Sequence, residues 1–276
     1  MSAIFDGPVE LVRAIFDIAA REEKSTALKL VRVCRAARRW IVPIIYETVE
    51  LDNPSALRFE RMLGMPSSSS LACLVRNLRV SCLPDVKLLS GRCGEVKAMT
   101  IPNYDVRHLT RLRLPSLTHL TIGGSLHYTH FSSNMTALAT VTHLRFPSDV
   151  PRLPDDLSSV MPNLTHFMCC YHLSKKSQHR ELEQCLNIVL GSSTLHMAVV
   201  YVHARDQKAE DSISKILGIY DPRVVVVSSV DLPNETQHLS PTHDACWLVA
   251  AEKQIKKCSG EMISCLMQAQ MLILRS

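Results

Sequence analysis

The chain has 276 residues, 46% hydrophobic and 5% aromatic, with 31 basic and 26 acidic residues and a formal net charge of +5. That length and apolar content allow a well-buried core, in one large domain or two smaller ones. The mild basic excess and the few aromatics argue against a nucleic-acid-binding surface, and no apolar run reaches the length needed to cross a bilayer.

Pro8 fixes φ and suits the start of a helix. Leu11, Ile15 and Ile18 then recur at three- to four-residue spacing, joined by Val12, Ala14 and Ala19, which predicts a helix with an apolar face. The charged run Arg21–Lys24 breaks the pattern. Ser25 or Thr26 can cap a second helix, with Ala27, Leu30, Val31, Cys34 and Ala37 on one stripe and Lys29, Arg32, Arg35, Arg38 and Arg39 on the flank. Pro43 is expected to limit that helix. Thr48–Leu51 reads as a short strand, and Asn53-Pro54 as a turn. A helix from Ser55 is expected to end at Gly64 and Pro66, before a small-polar spacer at Ser67–Ser70.

From Leu74 an apolar-x-x-apolar-x-apolar pattern recurs: Val75/Leu78/Val80, Val96/Met99/Ile101, Leu117/Leu120/Ile122, Val141/Leu144/Phe146 and Leu164/Phe167/Cys169. The middle positions are spaced by about 21, 21, 24 and 23 residues, within the range of leucine-rich repeats. Leu109/Leu112/Leu114 fits the pattern but lies so close to Leu117 that it is assigned to a connector. Further apolar strands are expected at Leu195–Val202 and Val224–Val227. Connectors over Thr136–Ala139, Leu153–Met161, Glu181–Leu190 and Asp206–Leu217 look helical or irregular. Such strands stack in parallel to close a core that none buries alone. The fold class expected is therefore α/β, with helices leading into an irregular leucine-rich-repeat-like solenoid; a mixed α/β sheet that is not a solenoid is the alternative.

The residues between the apolar positions are expected to point to the open face: Asn77, Arg79, Ala98, Thr100, His119, Thr121, His143, Arg145, His166 and Met168. Thr-His recurs at 118–119, 142–143 and 165–166, so in-register strands would stack the imidazoles at about 4.8 Å. A flat ladder does not form the tetrahedral fork of a zinc site, so polar residues on a solvated face, or a protein-binding surface that charges near neutral pH, are the readings kept. Phosphate loops, dinucleotide fingerprints, nucleophile elbows and zinc-protease motifs are missing from the sequence, and an enzyme and a cofactor are not expected. Ten cysteines are scattered without a Cys-x-x-Cys pair, and the N-terminus lacks a secretory pattern, which predicts reduced thiols in the cytoplasm or nucleus. For adjacent Cys169 and Cys170, two free thiols on opposite strand faces are expected.

The order of features in the first 50 residues resembles an F-box. The matching residues are Pro8, Glu10, Leu11, Ile15, Phe16, Leu28, Val31, Val33, Cys34, Arg35, Trp40 and Tyr46, with Gly7 where the family usually has Leu. The whole chain resembles the F-box proteins abundant in mushroom-forming fungi. The resemblance implies that residues 1–50 dock the Skp-type adaptor of a cullin–RING ubiquitin ligase through Pro8, Leu11, Ile15, Phe16, Leu30, Val31, Val33 and Trp40. A linker helix over 51–73 and a repeat domain over 74–258 follow. The repeat face would hold a protein substrate, with Arg79, His119, His143, Arg145 and His166 the candidate contacts. In the resembled proteins a strand and an Asp-x-Trp helix close the sheet; here a helix over Asp244–Lys257 is expected to cover the end of the stack. The apolar tail over 259–276 is left without a role. The alternatives are a repeat scaffold that never meets the adaptor, and a hydrolase or metal enzyme of unrecognised type.

Overall fold

The computed structural model describes residues 8–65, 69–81, 86–102, 109–124, 135, 138–172, 178–202, 221–228, 247 and 249–256. The expected connector over 206–217 and the apolar tail over 259–276 lie outside them.

Three helices open the chain: α1 (Val9–Glu22), α2 (Lys24–Leu30) and α3 (Arg35–Glu47). The expected second helix is thus two. Glu23 rather than Ser25 or Thr26 caps α2, and Thr26 Oγ1 donates to its carboxylate at 2.8 Å. After Leu30 the chain tightens through i→i−3 bonds from Arg32 and Val33. Cys34 then extends, and its Sγ accepts from Ala37 N at 3.3 Å to start α3. Pro43 lies inside α3 instead of ending it. It is exposed, as is Arg39, whose carbonyl loses a partner and can turn to water. Phe16, Ala20, Ala27, Ala37 and Ile41 form the buried centre of this unit, with the Trp40 ring edge-on to Phe16 at 6.4 Å.

Strand β1 (Thr48–Leu51) follows α3 without a loop, and α4 (Asn53–Gly64) follows β1. The Asn53-Pro54 pair is the first turn of α4 rather than a turn before it, because proline suits a position whose N–H has no helical partner. Asp52 and Ser55 cap that helix reciprocally: Ser55 N donates to Asp52 Oδ1 at 2.9 Å, and Asp52 N to Ser55 Oγ at 2.8 Å. Asp52→Ala should lower the urea midpoint and leave the slope unchanged, since it removes the reciprocal cap without altering the core.

The strands β2 (Asn77–Val80), β3 (Ala98–Pro102), β4 (His119–Gly123), β5 (His143–Phe146), β6 (His166–Tyr171), β7 (Met197–Val202) and β8 (Val224–Ser228) join β1 in one eight-stranded sheet. The protein is α/β, with strand order β1 to β8 and every pair parallel. Because β1 spans positions 50 and 51, the sheet begins within the segment assigned to the leading helices.

Register explains the repeat. Val49, Leu78, Met99, Leu120, Leu144, Phe167, Ala198 and Val224 are partners in one row across the sheet. All three apolar positions of each repeat are buried. One core cluster takes them together with connector residues from α5 (Ser69–Ala72), α6 (Val86–Arg92), α7 (Leu157–Val160) and α8 (Gln178–Leu190). Leu109, Leu112 and Leu114 enter this core from a connector, as their spacing requires.

Threonines tie successive repeats at their strand starts. Thr118 Oγ1 donates to Lys97 O at 3.2 Å, Thr142 to Thr118 O at 3.2 Å and Thr165 to Thr142 O at 3.0 Å. After β4, Gly124 takes φ 91°, which a side chain would strain. A last helical segment, α9, covers residues 249–256.

Candidate functional site

Two surfaces carry the candidate residues. The first is the three-helix unit. Leu11, Ile15 and Ile18 share one face of α1 and are 58%, 55% and 60% exposed. One residue on is a rotation of about 100° and two residues about 200°, so Val12 and Phe16, and Ala20 two past Ile18, point elsewhere, into the centre of the unit. The helix therefore carries two apolar stripes, one closing the unit and one facing solvent. Val9, Leu28 and Val33 are exposed as well. Among the eight residues expected to touch an adaptor, Pro8, Leu11, Ile15 and Val33 are exposed. Phe16 is 9% exposed, and Leu30, Val31 and Trp40 are partly buried against the same centre. Val9, Ile18 and Leu28 join the exposed set without having been assigned to the adaptor contact. Ile18 carried the clearest signal, since it continues the Leu11/Ile15 row.

The second surface is the face of the sheet away from the main core. The register places His119, His143 and His166 side by side. Their rings stack at 4.2 and 4.3 Å, tilted by 16° and 3°. Each Nδ1 lies 2.8–2.9 Å from the hydroxyl of the preceding threonine. That hydroxyl spends its one proton on a carbonyl, so Nδ1–H donates to it and Nε2 keeps the lone pair. Burial holds all three imidazoles below their ordinary range. For His143 burial comes first and the charges of His119 and His166 add, pushing it down to about 3. Burial therefore disfavours the charged form of all three rings, which runs against the expectation of a face that charges near neutrality. A second row on the same face, two residues along the strands, runs Glu50, Arg79, Thr100, Thr121, Arg145 and Met168. Arg79 Nη1 donates to Glu50 Oε1 at 3.0 Å.

This face is open over only part of its width. The Trp247 indole stands edge-on to His143 and His166, with ring centroids 5.7 and 5.6 Å away. Ala250 and its neighbours pack on Met168, Met197, Val199, Val225 and Val227. The Trp247 helix therefore lies across the sheet face over β6–β8, and the expectation that it covers the end of the stack is corrected. The reason is chemical: β7 and β8 read MAVVYV and VVVVS, continuous apolar runs that need cover on both sides. What stays uncovered by α9 is the Arg79–Thr100–Thr121 side. A cleft of about 560 Å³ lies there, lined by Glu50, Asp52, Ser55, Arg79, Ser81 and Thr100; a separate cleft of about 500 Å³ lies between Ala20, Arg21, Lys24 and Ala27 of the helical unit and Thr48, Glu50 and Asn77 of β1 and β2.

Nothing nucleophilic stands out among the described residues. Cys169 and Cys170 are buried and outside any disulfide, and burial pushes the Cys93 thiol up to about 11. No group of three or more His, Cys, Asp or Glu among the described residues is placed to hold a metal ion. No described helix is long and apolar enough to cross a membrane. No family model, no curated protein and no solved structure matches this chain.

Proposed function

We propose that the protein is a non-catalytic receptor of the F-box type. Its three-helix unit docks the Skp-type adaptor of a cullin–RING ubiquitin ligase, and its leucine-rich-repeat-like stack holds a protein substrate. The observation that carries this reading is the solvent-facing row Leu11, Ile15 and Ile18, set on a helix whose other stripe already closes the unit. Helices that merely capped a scaffold would bury that row against the first strands; it is exposed instead. Ubiquitin transfer then follows from proximity, with no chemistry asked of this chain. The substrate contacts fall on the uncovered side of the sheet, at Arg79, Thr100, Thr121 and the rim of His119. His143 and His166 under Trp247, and Arg145 beside Met168, lie nearer the covered side. None of the six described cysteines is in a disulfide, in keeping with the proposed placement in the cytoplasm or nucleus.

The test is a calorimetric titration of purified Skp-type adaptor into the chain. Wild type should bind. Ile15→Asp should weaken binding at least roughly a hundredfold while leaving the circular dichroism spectrum unchanged, because the residue is exposed. Absence of binding by a folded wild type would defeat the reading.

A further inference from the structure

Between Glu23 and Glu47 the chain has no acidic residue, yet it carries Lys24, Lys29, Arg32, Arg35, Arg38 and Arg39. All six are exposed on α2, α3 and the turn between them. Arg21, by contrast, is held by Asp17 at 3.1 Å and Glu47 at 2.8 Å. No such ion pair engages the six among the described residues; the carboxylate of Glu23 only feels the field of Lys29. Concentrated like charge without internal partners raises the energy of the free unit and is relieved by a surface of opposite sign. Exposed Leu28 and Val33 are interleaved with these cations.

We infer that the three-helix unit recognises a protein whose contact surface is an apolar groove with an acidic rim, the six cations meeting that rim. This deepens the adaptor reading and rests on it. Three classes of partner attract such a patch, and the aromatics decide among them. A single-stranded nucleic acid wants exposed rings to stack on, and a membrane surface wants Trp or Phe at its interface. Here Phe16 is buried and Trp40 packs edge-on against it, inside the unit. Aliphatic residues flanked by charge are what remains outside, which suits an acidic protein groove.

The experiment measures adaptor affinity at 50 and 300 mM salt. It uses wild type, the Arg32→Glu/Arg35→Glu/Arg38→Glu variant, and a control with the same charge change away from the patch, Arg61→Glu/Arg111→Glu/Arg113→Glu. Wild-type affinity should fall about tenfold with salt, and the patch variant should lose about tenfold at low salt, mainly in association rate. The control should bind as wild type does. Tight binding that ignores salt and patch reversal would overturn the acidic-rim inference while leaving the adaptor reading intact. Absence of any adaptor binding would defeat both. Preferential binding of duplex DNA or phosphatidylserine vesicles in parallel titrations would also overturn the inference, by reassigning the patch to another class of partner.

Discussion

Phe167→Ala is expected to cost about 3–5 kcal/mol, and so to remove much of the stability of the fold. Phe167 is fully buried in the row of register partners that links all eight strands. Its ring lies 6.0 Å from that of Phe146, and its neighbours in register are Leu144 and Ala198. Ala198 is small, so nothing on β7 can swing in to fill the space. Neighbouring repeats depend on one another for burial, which makes the damage spread along the stack. Urea unfolding followed by circular dichroism measures the effect. A loss below about 1 kcal/mol would mean that the middle row is not the spine of the core.

Acid should destabilise the protein through the histidine ladder. The sign follows from burial. The folded imidazoles hold protons less tightly than the unfolded ones, so between pH 6.5 and the lowered folded values the unfolded state binds more protons. Stability is fully present above pH 6.5 and is lost as pH falls toward about 3 for His143. One such proton is worth about 1.4 kcal/mol per pH unit at most. The rings are only half-buried, and water at their open edges reduces that to about half. Between pH 6.5 and 4.5 most carboxylates stay ionised, so the slope there belongs chiefly to histidine. Unfolding free energies should therefore decline across that window, and His143→Gln should flatten the decline by up to one proton. A flat profile in wild type, or an unchanged slope in the variant, would contradict the neutral ladder. Trp247, edge-on to two of the rings, should lose fluorescence anisotropy with them as the pH is lowered.

Much of this architecture was legible from spacing alone. The apolar triplets predicted the strand positions, because a period-two strand with one buried face leaves little choice of register. Thr-His at a fixed place in three repeats became a stacked ladder for the same reason. What the spacing could not show was which stripe of α1 faces inward. Leu11/Ile15/Ile18 and Val12/Phe16/Ala20 are both apolar, and only packing against Ala27, Ala37 and Ile41 separates them. Pro43 does not end α3, because a proline can sit inside a helix where the freed carbonyl faces water. The cover over β6–β8 follows from Met197–Val202 and Val224–Val227, since runs without polar alternation have no face to give to solvent.

In the proposed receptor, one stripe of α1 docks the adaptor while the other holds the unit together. An alanine scan of α1 and α3, reading adaptor affinity and melting temperature side by side, tests it most directly. Leu11→Ala, Ile15→Ala and Ile18→Ala should each weaken binding by about 1–2 kcal/mol and leave the melting temperature in place. Phe16→Ala and Ile41→Ala should lower the melting temperature instead. Binding that survives loss of the exposed row, or a melting temperature that falls with it, would contradict the division of labour between the two stripes.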